Sequence, residues 1–302
     1  GVKVSVDDPC IITDAISGAV ANKAQHPAIP YTPEEYAGEA RRAFDAGASV
    51  VHIHARKPDG TPSVAVENYR DITAAILAEV PDIVINYSTG TIGIPMAERV
   101  GHIVELKPEL GALNMGSMNY AKWSSKRKAW VFEFVFENSF ADITFLLERM
   151  RDAGVKPECE CFDVGHVESV YPLIDAGLLT QPIQFSFILG VVGGIQAHPD
   201  NLAHMAKRAP ADSTWEVIGI STDQWMLIDE AAQLGGNVRT GLEDNFTLPN
   251  GVKAAGNGAL VEEAARIVTA AGRRVATPDE ARTLLGLPLR PERVAALVGA
   301  PA

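Results

Sequence analysis

Short segments of β-forming residues recur along the chain and alternate with longer amphipathic, alanine-rich stretches, and this alternation restricts the fold more than any other feature. It is the pattern of repeated βα units. The predicted strands span residues 10–15, 49–55, 83–88, 111–116, 158–163, 184–189, 215–220 and 237–243. Eight strands favour a closed barrel, whereas open doubly wound sheets more often stop at about five or six. We therefore predict one α/β domain over residues 1–302, a (β/α)8 TIM barrel.

Local helix signals support the alternation. Thr32 is a typical N-cap residue, Pro33 suits the first helical position, and the acidic residues Glu34 and Glu35 are favoured by the helix dipole. The glycine of residues 45–48 ends this helix in the usual manner. A further helix is predicted at residues 278–285, as an extension beyond the eighth unit.

The connection after the fourth predicted strand is unusually long. Residues 119–138 contain Trp123, Trp130 and an alternating apolar stretch at 131–136. An exposed apolar stretch usually contacts something. We expect this excursion either to pack on a neighbouring subunit or to act as a lid over the substrate.

Charge and cysteine content exclude some classes of protein. The formal net charge is −12, which disfavours binding to nucleic acid, and the one basic cluster, Lys122 with residues 126–128, is either a solvated loop or a site for ligand phosphates. Three cysteines, two of them (Cys159 and Cys161) in one predicted strand, indicate a reducing compartment. Without a leader-like start or an apolar run of about 18 residues, we expect no membrane association and a cytoplasmic location.

His52 and His54 are the strongest sign of chemistry in the sequence. They are two residues apart at the carboxyl end of the second predicted strand, so a regular strand places both imidazoles on one face. In a barrel this end of the strands carries the active site. Two histidines on one interior face would struggle to find enough hydrogen-bond partners, so the pair predicts a metal site.

A catalytic zinc usually takes three protein ligands, so a third should end another strand. Glu243 closes the eighth predicted strand, with Arg239 four residues earlier and Asp244 next to it. On a regular strand Arg239 and Glu243 share one face. Glu243 is therefore either a ligand or one partner of an ion pair with Arg239.

Acidic residues also occur inside the fifth predicted strand. Glu158 and Glu160 share one face of a segment otherwise made of cysteine and phenylalanine, and buried acids need a cation. We expect Arg239 to be that cation.

Two more strand ends offer polar groups. Ser88, Thr89 and Gly90 follow the third predicted strand, where hydroxyl and backbone N–H groups could hold a substrate carboxylate or could simply form a turn. The fourth strand contributes Asn114.

Four motifs occur together in order: His-Ile-His at 52–54, Asn-Tyr-Ser-Thr-Gly at 86–90, Pro-Glu-Cys-Glu at 157–160 and Arg-Thr-Gly-Leu-Glu-Asp-Asn at 239–245. With these motifs the chain resembles the β-keto acid cleavage enzymes from residue 11 to about residue 287. The resemblance implies a barrel, usually a homotetramer, that binds one Zn²⁺ per chain and converts a β-keto acid and acetyl-CoA into acetoacetate and a new acyl-CoA.

The same resemblance implies roles for individual residues. His52, His54 and Glu243 would be the zinc ligands, and Ser88 would contact the substrate carboxylate. The catalytic residues would be Arg239, Asp244 and Glu160, with Arg239 helping to activate the substrate within a charge network.

Two positions depart from members of the family that handle an amine. Val20 stands where such a member has a glutamate for the substrate ammonium group, and Ala112 stands where it has a threonine. A charged amine would find no compensation for its desolvation here. We therefore expect a β-keto acid with an uncharged side chain.

Two other functions remain open. A metal-dependent hydrolase of the amidohydrolase type also has a His-x-His pair in a barrel, but its pair belongs on the first strand, with further histidines ending the fifth and sixth. A metal-stabilised binding protein without turnover is the second alternative, although a structural zinc usually has four ligands and needs no neighbouring acid–base groups.

Overall fold

The computed structural model describes residues 4–289 and confirms the predicted barrel. Eight parallel strands close on themselves in the order β1, β2, β3, β4, β7, β8, β9 and β10. An antiparallel pair, β5 and β6, stands apart from the barrel. The strands are β1 (Ile12–Ala15), β2 (Val50–Ile53), β3 (Val84–Ser88), β4 (Leu110–Asn114), β5 (Met118–Ser124), β6 (Ala129–Phe136), β7 (Lys156–Cys161), β8 (Ile183–Leu189), β9 (Ser213–Gly219) and β10 (Asn237–Thr240).

Helices connect the barrel strands. They are α1 (Pro33–Ala46), α2 (Val66–Glu79), α3 (Gly101–Leu106), α4 (Phe140–Ala153), α5 (Val164–Glu168), α6 (Val170–Asp175), α7 (Pro199–Arg208), α8 (Asp223–Leu234), α9 (Asn257–Ala270) and α10 (Pro278–Leu285), with a short 3-10 helix at Met96–Glu98. The start and end predicted for α1 are confirmed, because Thr32 accepts a hydrogen bond from the Glu35 N–H and Gly47 ends the helix. The predicted C-terminal helix is α10.

The predicted excursion at 119–138 is a β-hairpin formed by β5 and β6. It is attached to the loop after β8, where the Ala121 N–H donates to the Val192 carbonyl over 3.2 Å. The backbones of the hairpin and of this loop approach each other closely. A Cβ at Gly193, which has φ +107°, would lie 1.7 Å from the Asn119 carbonyl oxygen. The hairpin is therefore fixed over the carboxyl ends of the barrel strands.

Helix α10 packs near the amino-terminal end of the barrel. Leu285 joins an apolar cluster with Ile11, Val50 and Val84 from the starts of β1, β2 and β3. Arg282 is fully buried there, and its Nε donates to Glu109 Oε2 over 2.8 Å. The opposite, carboxyl end of the barrel is left for the functional site.

The eighth barrel strand is shorter than predicted. Residues 237–243 do not form one regular strand, because β10 ends at Thr240 and Gly241 takes φ +133°. A side chain at Gly241 would collide with the Ala15 carbonyl oxygen, 2.2 Å from the position of its Cβ. The chain then turns, and the Asp244 N–H donates back to the Gly241 carbonyl over 3.1 Å. The prediction that Arg239 and Glu243 share a strand face is therefore wrong.

Across residues 4–289, the helices all fall short of the length and apolar character that a membrane span requires.

Candidate metal centre and active site

The two histidines and Glu243 meet at the carboxyl end of the barrel. His52 lies on β2, His54 follows that strand, and Glu243 follows β10; both strands flank β1. The Nε2 atoms of His54 and His52 are 3.4 and 3.8 Å from Glu243 Oε1. Ligand atoms of all three residues lie within 4.8 Å of one another.

This arrangement fits a zinc ion. Ligands at the usual zinc distances in a tetrahedral site are roughly 3.3 Å apart, close to the separations seen here. Glu243 Oε1 is buried and has no hydrogen-bond partner among the described residues. Two imidazoles and one carboxylate are a known ligand set of catalytic zinc, which leaves a position for water or substrate. In the described part of the chain, this is the one cluster of three such residues.

Asn86 on β3 orients His52. Asn86 Nδ2 donates to Glu158 Oε2 over 3.0 Å, which fixes the amide, and Asn86 Oδ1 then accepts from His52 Nδ1 over 3.1 Å. The lone pair of His52 is therefore on Nε2, the atom that faces Glu243. Burial, together with the positive charge of Arg239, lowers the pKa of His52 to about 3. The ring is neutral, as a metal ligand must be.

The backbone around the site is fixed by contacts from the first βα unit. The carbonyl of His54 accepts hydrogen bonds from the hydroxyls of Tyr36, over 2.6 Å, and Ser17, over 3.3 Å. Gly18 has φ +59°, and a Cβ there would lie 2.8 Å from Glu243 Cγ. Glycine at position 18 is therefore needed to admit the Glu243 side chain.

Arg239 connects the metal centre to the acidic residues. Its Nε and Nη2 donate to both carboxylate oxygens of Asp244, over 2.8 and 2.9 Å, and Nη2 also donates to Glu243 Oε2 over 2.9 Å. Glu160 Oε1 lies 4.0 Å from Nη1, which has no hydrogen-bond partner among the described residues. The structure thus brings the three predicted catalytic residues together beside the predicted metal ligands.

The charges in this network perturb one another. Burial alone would raise the pKa of Glu243, but the nearby His54 and Arg239 outweigh it and hold that pKa well below its usual range. Burial raises the pKa of Glu160 to about 8, against the opposing effect of Arg239. Arg239 therefore does not offset the effect of burial on Glu160, although it helps to do so for Glu243.

Glu158 does not pair with Arg239 as predicted. Besides Asn86, its side-chain neighbours are Ser186 and Glu216, the latter on β9. Among the described residues, Glu158 Oε1 and Glu216 Oε2 are buried without a hydrogen-bond partner, while Glu216 Oε1 accepts from the Ser186 hydroxyl over 3.0 Å. Burial raises the pKa of both groups, that of Glu216 well above its usual range. Because two neighbouring buried carboxylates disfavour each other's charge, we expect this pair to keep a proton.

Ser88, Thr89 and Gly90 line a cavity beside His54. The Ser88 hydroxyl accepts from the Gly90 N–H over 3.0 Å, and a Cβ at Gly90 would lie 3.5 Å from Asn114 Nδ2. These groups therefore lie close together, and the hydrogen bond between Gly90 and Ser88 is a local turn contact of the kind that the sequence left open as an alternative. The Thr89 hydroxyl is already used, because it donates to the Ala112 carbonyl over 2.6 Å.

Ala112 and Val20, the two positions that differ from amine-handling members of the family, have different surroundings. Ala112 is buried on β4, and its carbonyl supports Thr89. Val20 is 94% exposed on the loop after β1, and the neighbouring Ala19, not Val20, lines the cavity.

Sequence reasoning missed the contributions of Asp14, Asn86 and Glu216. Asp14 and Glu216 are acids within apolar strands, a signal that such a residue faces a barrel interior. Asp14 is fully buried, and burial and neighbouring acids, chiefly Glu39 and Asp244, raise its pKa well above the usual range. Asn86 stood in a recognised motif, but its contact with His52 depends on the register of β2 and β3, which pairs these two residues.

Together, a closed barrel and a candidate three-residue metal site beside buried acid–base groups indicate a barrel enzyme. A family model described as beta-keto acid cleavage enzyme matches residues 9–287. The chain belongs to the β-keto acid cleavage enzyme family, and the resemblance seen in the sequence motifs is confirmed.

Individual relatives agree with this assignment. The chain is 39% identical to 3-keto-5-aminohexanoate cleavage enzyme of Acetoanaerobium sticklandii over 92% of this chain and 98% of the relative. It is 34% identical to 3-oxoadipate:acetyl-CoA acetyltransferase of Cupriavidus necator over 93% of this chain and 95% of the relative. Among solved structures, apo ObcA is similar in fold, with a TM-score of 0.74 and 21% identity over 88% of this chain and 67% of ObcA.

The hydrolase alternative is not supported. The strands that would carry its further histidines, β7 and β8, end at Cys161 and Leu189. His198 lies beyond them as the N-cap of α7, where its side chain is 61% exposed. The site therefore agrees with the family, and not with an amidohydrolase.

Proposed function

We propose that this chain binds one zinc ion through His52, His54 and Glu243 and converts a β-keto acid and acetyl-CoA into acetoacetate and a new acyl-CoA. The observation that carries the proposal is the convergence of three metal-ligand atoms within 4.8 Å, one of them the orphaned Oε1 of Glu243. The relative from Cupriavidus necator, a 3-oxoadipate:acetyl-CoA acetyltransferase, supports acetyl-CoA as the co-substrate.

The reaction consists of a condensation followed by a cleavage. A base removes a proton from C2 of the keto acid, C2 attacks the acetyl carbonyl, and the CoA thiolate leaves. The thiolate then attacks the original keto carbon, and the bond between that carbon and C2 breaks. The acyl-CoA forms, and the released enolate of acetoacetate takes back one proton at C2.

His52, His54 and Glu243 would hold the zinc ion, which would supply a Lewis acid for negative charge on the keto oxygen. Arg239 holds Asp244 through two hydrogen bonds and lies 4.0 Å from Glu160, so both carboxyls are positioned beside the metal ligands. We assign the proton transfers to this carboxyl pair, with Arg239 activating the substrate. Ser88 and Asn114 would bind the substrate carboxylate. Gly90, which donates to the Ser88 hydroxyl, and Thr89, which donates to the Ala112 carbonyl, would hold this loop in place.

An uncharged substrate side chain fits the cavity. Neither aspartate nor glutamate contributes to its lining, so an ammonium group would be desolvated there without a counter-charge. Val20 and Ala112 add no charge either.

We also propose that the chain acts in the cytoplasm as a homotetramer, with residues 119–138 as a subunit contact or a lid. Trp123, Trp130 and Val135 on the hairpin are 44%, 53% and 61% exposed, and large apolar side chains at such a density usually contact another surface. The single-domain organisation over residues 1–302 remains a prediction.

A substrate panel tests the proposed function. Zinc-loaded protein is given acetyl-CoA and a series of β-keto acids with aliphatic, carboxylate and amino side chains, and acetoacetate is measured. We expect the aliphatic acids to react fastest. A preference for the amino-substituted acid would contradict the proposed specificity, and no acetoacetate from any of them would contradict the proposed reaction.

A further inference from the structure

Arg99 occupies an unusual position for an arginine. It follows the 3-10 helix at Met96–Glu98 and precedes α3, yet its side chain turns inward and is 7% exposed. It lines the same cavity as His54 and Ser88. A guanidinium therefore lies in the wall of the proposed substrate site.

The contacts of Arg99 leave its charge uncompensated. Nη1 donates to the Thr91 carbonyl over 2.5 Å, and Nη2 lies 3.2 Å from the Met96 sulfur. Nε is buried without a partner, and no carboxylate of the described residues comes within 4 Å of the group. Burial lowers the pKa of Arg99, with only partial relief from the more distant Asp142.

Two other buried arginines of this chain have partners for their N–H groups. Arg282 is paired with Glu109 through two hydrogen bonds. Arg56 has no acid but gives Nε, Nη1 and Nη2 to three backbone carbonyls. Burying a guanidinium with a free N–H and no anion costs free energy of folding. We therefore expect the negative charge beside Arg99 to come from a bound ligand.

The cavity offers a place for that anion. Its lining contains no acid, and besides Arg99 it includes Ser88 and Gly90. The cavity also reaches His54 of the candidate metal centre. A ligand bound in this cavity would therefore have both Arg99 and His54 in its walls.

We propose that Arg99 binds the C1 carboxylate of the β-keto acid and thereby makes the site selective for acids over neutral ketones. This rests on the proposed function for the identity of the substrate, but it assigns a residue outside the four motifs. Arg99 completes a site in which the Ser88 hydroxyl provides a neutral donor and the guanidinium provides the charge.

Equilibrium binding without acetyl-CoA tests this role. Zinc-loaded protein is titrated calorimetrically with acetoacetate and with its neutral methyl ester. The wild type should bind the acid about tenfold to a hundredfold more tightly than the ester, the range expected for a charge-assisted hydrogen bond. In Arg99→Met this ratio should fall close to one, because only acid binding weakens.

Three further variants complete the comparison. Arg99→Lys keeps the charge and should retain part of the preference. Arg99→Gln keeps a donor for the Thr91 carbonyl but not the charge, and carries the test if Arg99→Met does not fold. Arg149→Met removes an exposed arginine of α4 outside the cavity lining and should behave as wild type.

A merely structural role would give another result. If Arg99 only supports the 88–91 loop, its removal weakens the acid and the ester equally, and the unchanged ratio overturns the proposal. The proposed function has a separate outcome, because acetoacetate can bind through Arg99 in a protein that fails to turn over. A normal binding ratio without catalysis would contradict the reaction and leave Arg99 assigned.

Discussion

Replacement of Glu216 by glutamine removes one carboxyl from the buried pair that it forms with Glu158. Both side chains are almost fully buried inside the barrel, and burial raises the pKa of each. A carboxyl whose pKa is higher in the folded chain stabilises the fold below its unfolded pKa, and this stability is lost as pH rises toward the folded pKa. Glutamine resembles the protonated acid and carries no such pH dependence.

The magnitude follows from the retained proton. The unfolded glutamate has a pKa of about 4.3. Above it, each pH unit costs the folded wild type about 1.4 kcal/mol for every proton that it retains and the unfolded chain releases. Burial raises the pKa of Glu216 well above its usual range, so the difference between variant and wild type should keep growing at this rate for as long as the folded wild type retains the proton.

Urea unfolding of metal-free protein, followed by circular dichroism from pH 5 to pH 8, measures this effect. The free energy of unfolding of Glu216→Gln should rise relative to wild type by about 1.4 kcal/mol per pH unit. Glu262→Gln, at an exposed position of α9, is the control and should run parallel to wild type. If the Glu216→Gln curve also runs parallel to wild type, the pair holds no proton and our reading of it is wrong.

Three further changes test other parts of the structure. Asn86→Ala should weaken zinc binding about tenfold to a hundredfold in competition with a chromogenic chelator, since the imidazole of His52 loses the acceptor that orients it; unchanged affinity would contradict that role. Asp244→Asn should lower kcat by about 10²–10⁴-fold while the measured zinc content stays the same, and full residual activity would remove Asp244 from catalysis. Arg282→Met should reduce the free energy of unfolding by about 3–5 kcal/mol in urea, because Glu109 is left buried without its cation, and a loss below about 1 kcal/mol would show that water relieves it.

The barrel and the histidine pair were accessible from the sequence because both depend on short repeats. Alternating strands and helices can be counted, and a spacing of two residues places His52 and His54 together whatever the rest of the chain does. The helix limits at Thr32 and Gly47 are also local, since capping involves neighbouring residues.

Glu243 lies at the candidate metal site, as the sequence predicted, but the strand geometry on which that prediction was based is wrong. The sequence placed it on a strand face shared with Arg239, whereas the turn at Gly241 places it beside Gly18 instead. The contact with Arg239 survives, over 2.9 Å, because the turn returns the side chain to the barrel mouth. Nothing local to the motif distinguishes these two paths.

The partners of the buried acids could not be predicted, because they depend on register across the barrel. Glu158 and Glu216 lie on β7 and β9, with β8 between them, and Asn86 lies on β3. Side chains from alternating strands meet in layers of a barrel interior. Arg99 was missed for another reason: it stands outside any strand, and its inward direction is set by the loop that precedes α3.

The most direct test of the metal-dependent mechanism is a titration of zinc into metal-free protein, with acetoacetate formed from acetyl-CoA and an aliphatic β-keto acid as the readout. Activity should be absent at the start and should rise linearly to a plateau at about one zinc per chain, as expected for a single catalytic site. Full activity in the metal-free protein, or zinc binding at this stoichiometry without any acetoacetate, would contradict the account.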